Sequence, residues 1–209
     1  MTSPFQNIAP QYAALWSDTP RGRAQREEVW REIDNLFHRG DRILDLGCGT
    51  GDDAVHLISR GVEVVGIDSA PGMVEIARTR GVDAKQMAIE DLDSLTGEFD
   101  GAISDFGALN CVADLGDVSA ALARTVRPHG KLALCVMSRY CWRNAFVSKD
   151  WRHLFRRWSG RTVWRGMDVY YRSSRSVART FAPYFKWQRT VSIGRGDHQL
   201  LVFSRRTEW

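Results

Sequence analysis

Asp45-Leu46-Gly47-Cys48-Gly49-Thr50-Gly51 follows a short run, residues 42–46, that is apolar enough for a buried strand, and it precedes a helical pattern over 53–59. Glycine at every second position lets the backbone take positive φ and lets a ligand lie against bare main chain. The helix beyond it presents unpaired N–H groups and the positive end of its dipole, which favours a carboxylate. Asp45, at the strand end, supplies a negative charge suited to an ammonium group. Strand, glycine loop and helix in that order form the opening unit of a parallel sheet.

The flanking sequence repeats the rhythm. Residues 21–38 carry Val29, Trp30, Ile33, Leu36 and Phe37 at helical spacing, and Gly40 can end that helix. Beyond the loop, Gly61 closes the helix, a strand is expected at 62–67, and a helix at 71–80 is closed by Gly81. A third strand near 82–87, a fourth at 99–104, a helix near 117–126, a turn at 128–130 and a fifth strand at 132–137 continue the alternation. Such alternation predicts a parallel sheet covered on both faces. After Ser138, Trp142, Phe146, Val147, Trp151, Leu154, Phe155 and Trp158 recur at helical spacing, which predicts a helical insertion over 139–170. A helix at 173–185 and strands at 188–193 and 199–204, joined through Gly194, Gly196 and Asp197, predict a closing antiparallel hairpin.

The 209 residues, 44% of them hydrophobic, make one domain with apolar content enough for a core. No apolar run approaches the roughly 20 residues of a membrane-spanning helix, and MTSPFQNIAP lacks an export signal, so the expected location is cytoplasmic, with no membrane partner. The four cysteines form no Cys-x-x-Cys pair and the histidines show no ligand spacing, so neither a metal site nor a disulfide framework is expected. A net charge of +4 hides an asymmetry, because residues 139–189 carry +11 and the rest −7. That basic stretch also holds five of the eight tryptophans. They either pack the insertion onto the core or stack on an acceptor.

On the loop at 45–51 the chain resembles the class I S-adenosylmethionine-dependent methyltransferases, whose first motif is acidic-x-Gly-x-Gly-x-Gly. The resemblance runs in order over roughly residues 5–137 and more loosely over the closing hairpin. It implies an α/β fold, a Rossmann-like seven-stranded mostly parallel sheet with a C-terminal antiparallel hairpin and a helical insertion after the fifth strand. It also implies S-adenosylmethionine as cofactor, held by Asp45, Gly47, Cys48, Gly49 and Gly51. Gly66-Ile67-Asp68-Ser69 resembles the second motif, in which the acid accepts hydrogen bonds from the ribose hydroxyls; Asp68 can equally cap the helix that begins at Pro71. Met73 either covers the adenine or belongs to the core. After the third strand Ala88 stands where an aspartate is common, which leaves Glu90 or Asp91 for the adenine amino group and the backbone of Ile89 for the ring.

A dinucleotide site requires Gly-x-Gly-x-x-Gly, and that pattern fails: from Gly47 the third glycine would be Asp52, and from Gly49 it would be Ala54. The fourth strand runs into Ser104-Asp105-Phe106-Gly107, where the family places residues beneath the transferring methyl group, and Asp105 either lines that pocket or caps the turn. No Asn-Pro-Pro-Tyr or Asp-Pro-Pro-Tyr motif is present, which argues against methylation of DNA bases or protein glutamine.

These features predict one methyltransferase domain over 1–209, in which residues 1–38 form a helical cap and 139–170 a lid on the acceptor site. The expected reaction is methyl transfer to an oxygen or nitrogen of a small molecule. Tyr12, Asp105 and His198 are the candidate general bases, although alignment alone can provide much of the catalysis. An RNA methyltransferase using the basic, aromatic 139–189 segment and a non-catalytic S-adenosylmethionine-binding protein are the alternatives. Nucleic acid is thus a conceivable partner and a small molecule the favoured one.

Overall fold

A computed structural model describes residues 5–138 and 160–207. Fourteen named elements follow one another: α1 (Pro20–Ile33), β1 (Arg42–Leu46), α2 (Asp52–Ser59), β2 (Glu63–Asp68), α3 (Pro71–Thr79), β3 (Asp83–Gln86), β4 (Phe99–Ser104), α4 (Leu115–Thr125), β5 (Val126–Met137), β6 (Arg161–Trp164), β7 (Met167–Tyr170), α5 (Ser174–Phe181), β8 (Phe185–Ile193) and β9 (His198–Arg205). Seven strands form one sheet in the order β3-β2-β1-β4-β5-β9-β8. The first five run parallel, and β9 and β8 close the sheet antiparallel. This is the Rossmann-like, mostly parallel architecture that the motif order predicts.

Alternation along each strand assigns side chains to two faces. Leu44 and Leu46 of β1 pack with Leu132 and Leu134 of β5 and with Phe181 and Phe185 in one core. Ile43, Ile103, Ala133 and Cys135 point the other way and pack with Val29 and Ile33 of α1, Ala54 and Leu57 of α2, and Val74 and Ala77 of α3. Asp45 and Asp105 fall on this second face by the same count, and they emerge where the strands end. In such sheets ligands bind beyond the carboxyl ends of the strands, beside the switch between β1 and β4.

Several boundaries differ from expectation for identifiable reasons. Thr19 caps α1, its Oγ1 accepting from Gly22 N, and the helix stops at Ile33 rather than 38. The helix expected to 185 ends at Phe181, because Pro183 cannot continue it, and Phe185 opens β8 instead. The turn at 128–130 is a bulge within β5: the register jumps from Phe99↔Val126 to Gly101↔Lys131, and His129 takes φ 66°. Within the stretch expected to be helical, residues 161–170 instead form a two-stranded hairpin, β6 with β7, turned by Arg165 (φ 49°) and Gly166 (φ 83°). Residues 139–159, where the helical insertion was expected, lie outside the described residues.

Two clasps hold this hairpin to the sheet. Fully buried Asn110 donates to Tyr170 O (2.6 Å) and accepts from Met137 N (2.8 Å). Arg172 donates to the carbonyls of Leu109, Val112 and Ala113. Ser138 and Arg172 also form an isolated bridge, so the chain leaves the sheet and returns to it at one place.

Candidate active site

The glycine loop owes its shape to three left-handed residues, Gly47 (φ 76°), Gly49 (φ 54°) and Gly51 (φ 81°). A side chain on Gly47 would sit 2.3 Å from the Cβ of Ala108, and one on Gly51 would crowd Val82 and Ala77. At Gly49 nothing lies within 4 Å, so the bare backbone faces open space. Gly47 N and Cys48 N donate to Ile67 O, which ties the loop to the end of β2. Cys48 is buried against Gly66, and burial, then Asp45, push its thiol well above the usual range.

Asp68 is held in the same place by two backbone donors, Gly49 N to Oδ2 (3.0 Å) and Ala70 N to Oδ1 (2.8 Å). The same carboxylate braces the residue before α3 and lines the cavity. Burial raises its pKa against the lowering effect of these two hydrogen bonds.

A cavity of about 640 Å³ opens over Gly47, Gly49 and Asp68 and continues past Asp105 and Phe106 to the β6–β7 hairpin. Tyr12, Asp105 and His198, distant in sequence, all line it. Burial raises the Tyr12 phenol above its usual value. His198 meets the Phe106 ring edge to face at 5.5 Å. Asp105 is only 8% exposed, and among the described residues neither of its carboxylate oxygens has a hydrogen-bond partner. Asp45, 2% exposed, leaves Oδ2 equally unmet. Burial first, then neighbouring acids, holds both carboxyls well above their ordinary pKa.

The remaining sequence candidates are placed less centrally. Ser69, Glu90 and Asp91 are exposed and absent from the cavity wall. Ile89 is buried beside Gly47. Glu90 is near enough to the cavity-lining Cys111 to assist burial in raising that thiol to about 11. Met73 is buried and also contributes to the wall.

Sequence reasoning missed Arg26. It pairs with Asp53 (Nη1 to Oδ2, 2.5 Å) and Asp52 (3.5 Å) in the first turn of α2, and its guanidinium lies 4.9 Å from the Phe106 ring centroid. Burial disfavours its charge, yet Asp53 and Asp52 more than offset this and raise its pKa. Trp30 Nε1 donates to the other oxygen of Asp53 (2.8 Å), and Ser17 Oγ to Asp52 (2.7 Å). A signal existed: Arg26 lies three residues before Val29 and seven before Ile33, on the apolar stripe of α1, where an unpaired charge would be costly. Trp164 was missed as a wall residue; its ring meets that of Phe5 at 5.3 Å and joins the N-terminal segment to the hairpin across the cavity.

Residues 43–130 match the family described as "Methyltransferase domain". Over 107 residues the chain is 37% identical to the ubiquinone biosynthesis O-methyltransferase of Xanthomonas oryzae pv. oryzae, covering 48% of this chain and 44% of that protein. It is 35% identical over 142 residues to the demethylmenaquinone methyltransferase of Deinococcus radiodurans, covering 62% and 57%. The chain thus spans about half the length of these curated relatives. The crystal structure of the N-methyltransferase NodS from Bradyrhizobium japonicum, in complex with S-adenosylhomocysteine, superposes with a TM-score of 0.70 at 15% identity, covering 97% of this chain and 99% of that one. Residues 43–130 thus carry a methyltransferase domain, set in a fold shared with solved methyltransferases, and such a domain implies S-adenosylmethionine as cofactor. The residues present fit it, since the bare backbone at Gly49, the Asp68 carboxylate and the unmet carboxyls of Asp45 and Asp105 suit a ligand with hydroxyls and positive charge. Among the described residues no group of His, Cys, Asp or Glu is arranged to hold a metal ion, and no helix is long and apolar enough to cross a membrane.

Proposed function

We propose that the chain transfers a methyl group to an oxygen or nitrogen of a small-molecule acceptor. The observation that carries this reading is the single continuous cavity, in which the glycine loop and Asp68 share one space with the aromatic side chains of Phe5, Tyr12, Phe106, Trp164 and Tyr171. S-adenosylmethionine supplies an already activated methyl group when bound. The chain must then orient an acceptor and exclude water, and the N-terminal segment and hairpin are positioned to do both. Asp45 is assigned to the ammonium group, Asp68 to the ribose, and Gly47 and Gly49 to the approach of the methionine portion. Ser69, Ile89, Glu90 and Asp91 are left to the adenosine rim. Tyr12, Asp105 and His198 are the groups within the cavity that can take a proton.

The relatives named for ubiquinone and demethylmenaquinone chemistry support a small cyclic acceptor. So does the internal use of the described part of the basic segment. Arg161 is paired with Asp168, Arg189 with Glu32, and Arg172 is spent on three carbonyls, which leaves these arginines poorly disposed to track phosphates. A cytoplasmic location belongs to the same reading. Incubation with methyl-labelled S-adenosylmethionine and fractionated cell extract, followed by identification of the labelled product, tests it. Label in a small molecule is the expected result, and label confined to RNA or protein would refute it.

A further inference from the structure

Three buried carboxyl groups lie close enough to act on one another behind the glycine loop: Asp45 at the end of β1, Asp53 in the first turn of α2, and Asp105 beyond β4, of which Asp105 lines the cavity. Among the described residues the cation that acts on all three is Arg26 of α1. Its ion pair, however, goes to Asp53, which also accepts from Trp30. Among the described residues Asp105 is left with two buried oxygens and no hydrogen-bond partner; Asp53 and Asp45 act on it as like charges and Arg26 as an opposite one, it pushes up the thiol of Cys135 of β5, and the next residue, Phe106, meets the ring of His198 of β9.

A buried carboxyl so placed is neutral until a positive charge arrives. Burial and the two other acids hold its pKa well above the ordinary value, in agreement with that state. Against these three carboxyls stands one guanidinium, so two acids are left over: Asp45 is assigned above to the cofactor's ammonium group, and a second positive charge fitted beside Asp105 would match the other.

We propose that Asp105 is a charge-coupled proton site: it ionises when the cationic cofactor occupies the cavity and takes up the acceptor's proton as the methyl group is transferred. The inference rests on the cofactor reading given above. Atoms and charges balance. A bond forms from the acceptor oxygen or nitrogen to the methyl carbon, the sulfur–carbon bond breaks with its electron pair left on sulfur, and the proton of the acceptor O–H or N–H ends on Asp105. A sulfonium beside a carboxylate becomes a thioether beside a neutral carboxyl, so the cavity never holds an unmatched charge. Asp105 then serves as a general base although it is neutral in the free protein, because the positive charge that ionises it disappears in the same step that delivers its proton.

Calorimetry of the whole chain, without acceptor and in buffers of different ionisation enthalpy, counts the protons released on binding. S-adenosylmethionine and S-adenosylhomocysteine differ by a methyl group and its positive charge, so the contribution of Asp45 facing their common ammonium cancels. Near neutral pH the sulfonium form is expected to release about one proton more per protein than the thioether. Asp105→Asn is expected to bind both ligands and to abolish the difference. Asp105→Ser serves if the asparagine variant does not fold, and the wild-type comparison decides by itself. Equal proton counts in the wild type, or a difference that survives in the variant, overturn the inference. Binding of neither ligand would overturn the cofactor reading and this inference with it.

Discussion

Arg26 and Asp53 meet inside the protein, Nη1 to Oδ2 at 2.5 Å, and their ion pair fastens the N-terminal helix α1 to the first turn of the helix that follows the glycine loop. Without this contact the N-terminal segment would still pack through Val29 and Ile33 and keep the bonds of Arg21 and Gln25 to Asp197 and of Glu28 to Gly194 N, but its tie to α2 would rest on Ser17 and Trp30 with an unpaired Asp53 between them.

Arg26→Met should therefore be strongly destabilising, by about 3 to 5 kcal/mol, since it leaves a buried carboxylate unpaired. Arg26→Lys should recover part of the loss. Thermal unfolding of the two variants measures this, and hydrogen exchange over residues 13–33 should show the deprotection concentrated there.

Asp68→Ala removes the acceptor for Gly49 N and Ala70 N together with the proposed ribose contacts. Hydrogen bonds to a charged group contribute about 1.5 to 3 kcal/mol each. Affinity for S-adenosylhomocysteine, read by calorimetry, should fall at least tenfold. An unchanged affinity would remove Asp68 from the site.

Stability of the ligand-free protein should depend on pH through Asp45 and Asp105. Both folded-state pKa values are raised, so above the ordinary carboxylate value of 3.8 the folded state binds more protons than the unfolded one, and stability declines as pH rises toward the raised values. Melting temperatures between about pH 5 and 8 should fall in the wild type and fall less in Asp105→Asn, which lacks one of the titrating groups. A steeper decline in the variant would contradict the sign.

Asn110→Ala cuts the hydrogen bonds to Tyr170 O and from Met137 N. Buried groups left unsatisfied cost about 1 to 3 kcal/mol. The hairpin at 161–170 should lose protection in hydrogen exchange while affinity for S-adenosylhomocysteine stays within about twofold, because the contact lies on the side proposed for the acceptor. Loss of cofactor affinity would mean that the two halves of the cavity are not separable.

The sheet and the glycine loop were legible because local chemistry dictates them: Gly47 and Gly51 have no room for a side chain, and β1, β2, β4 and the second half of β5 are short, largely buried runs. Asp68 was legible by its place at a strand end. Arg26 was not, because an arginine on an apolar stripe gains meaning only from the aspartates that meet it, and those lie 26 and 27 residues away. The β6–β7 hairpin was hidden by tryptophans at helical spacing just before it, although Thr162, Trp164, Met167 and Val169 alternate about Arg165-Gly166. Glu90 and Asp91 are exposed and absent from the cavity wall, and their expected contact with the adenine rests on the resemblance alone.

The bridge between Ser138 and Arg172 marks where the chain leaves the sheet and rejoins it, so the β6–β7 hairpin is fastened from outside the sheet's own ladder, by contacts such as Asn110 to Tyr170 O. The sheet neither gains nor loses a strand by it, because β5 has already paired with β9 before the excursion begins. Divergence could therefore rewrite this stretch wholesale, trading one clientele of molecules for another, while the half of the cleft built on the glycine loop is inherited untouched.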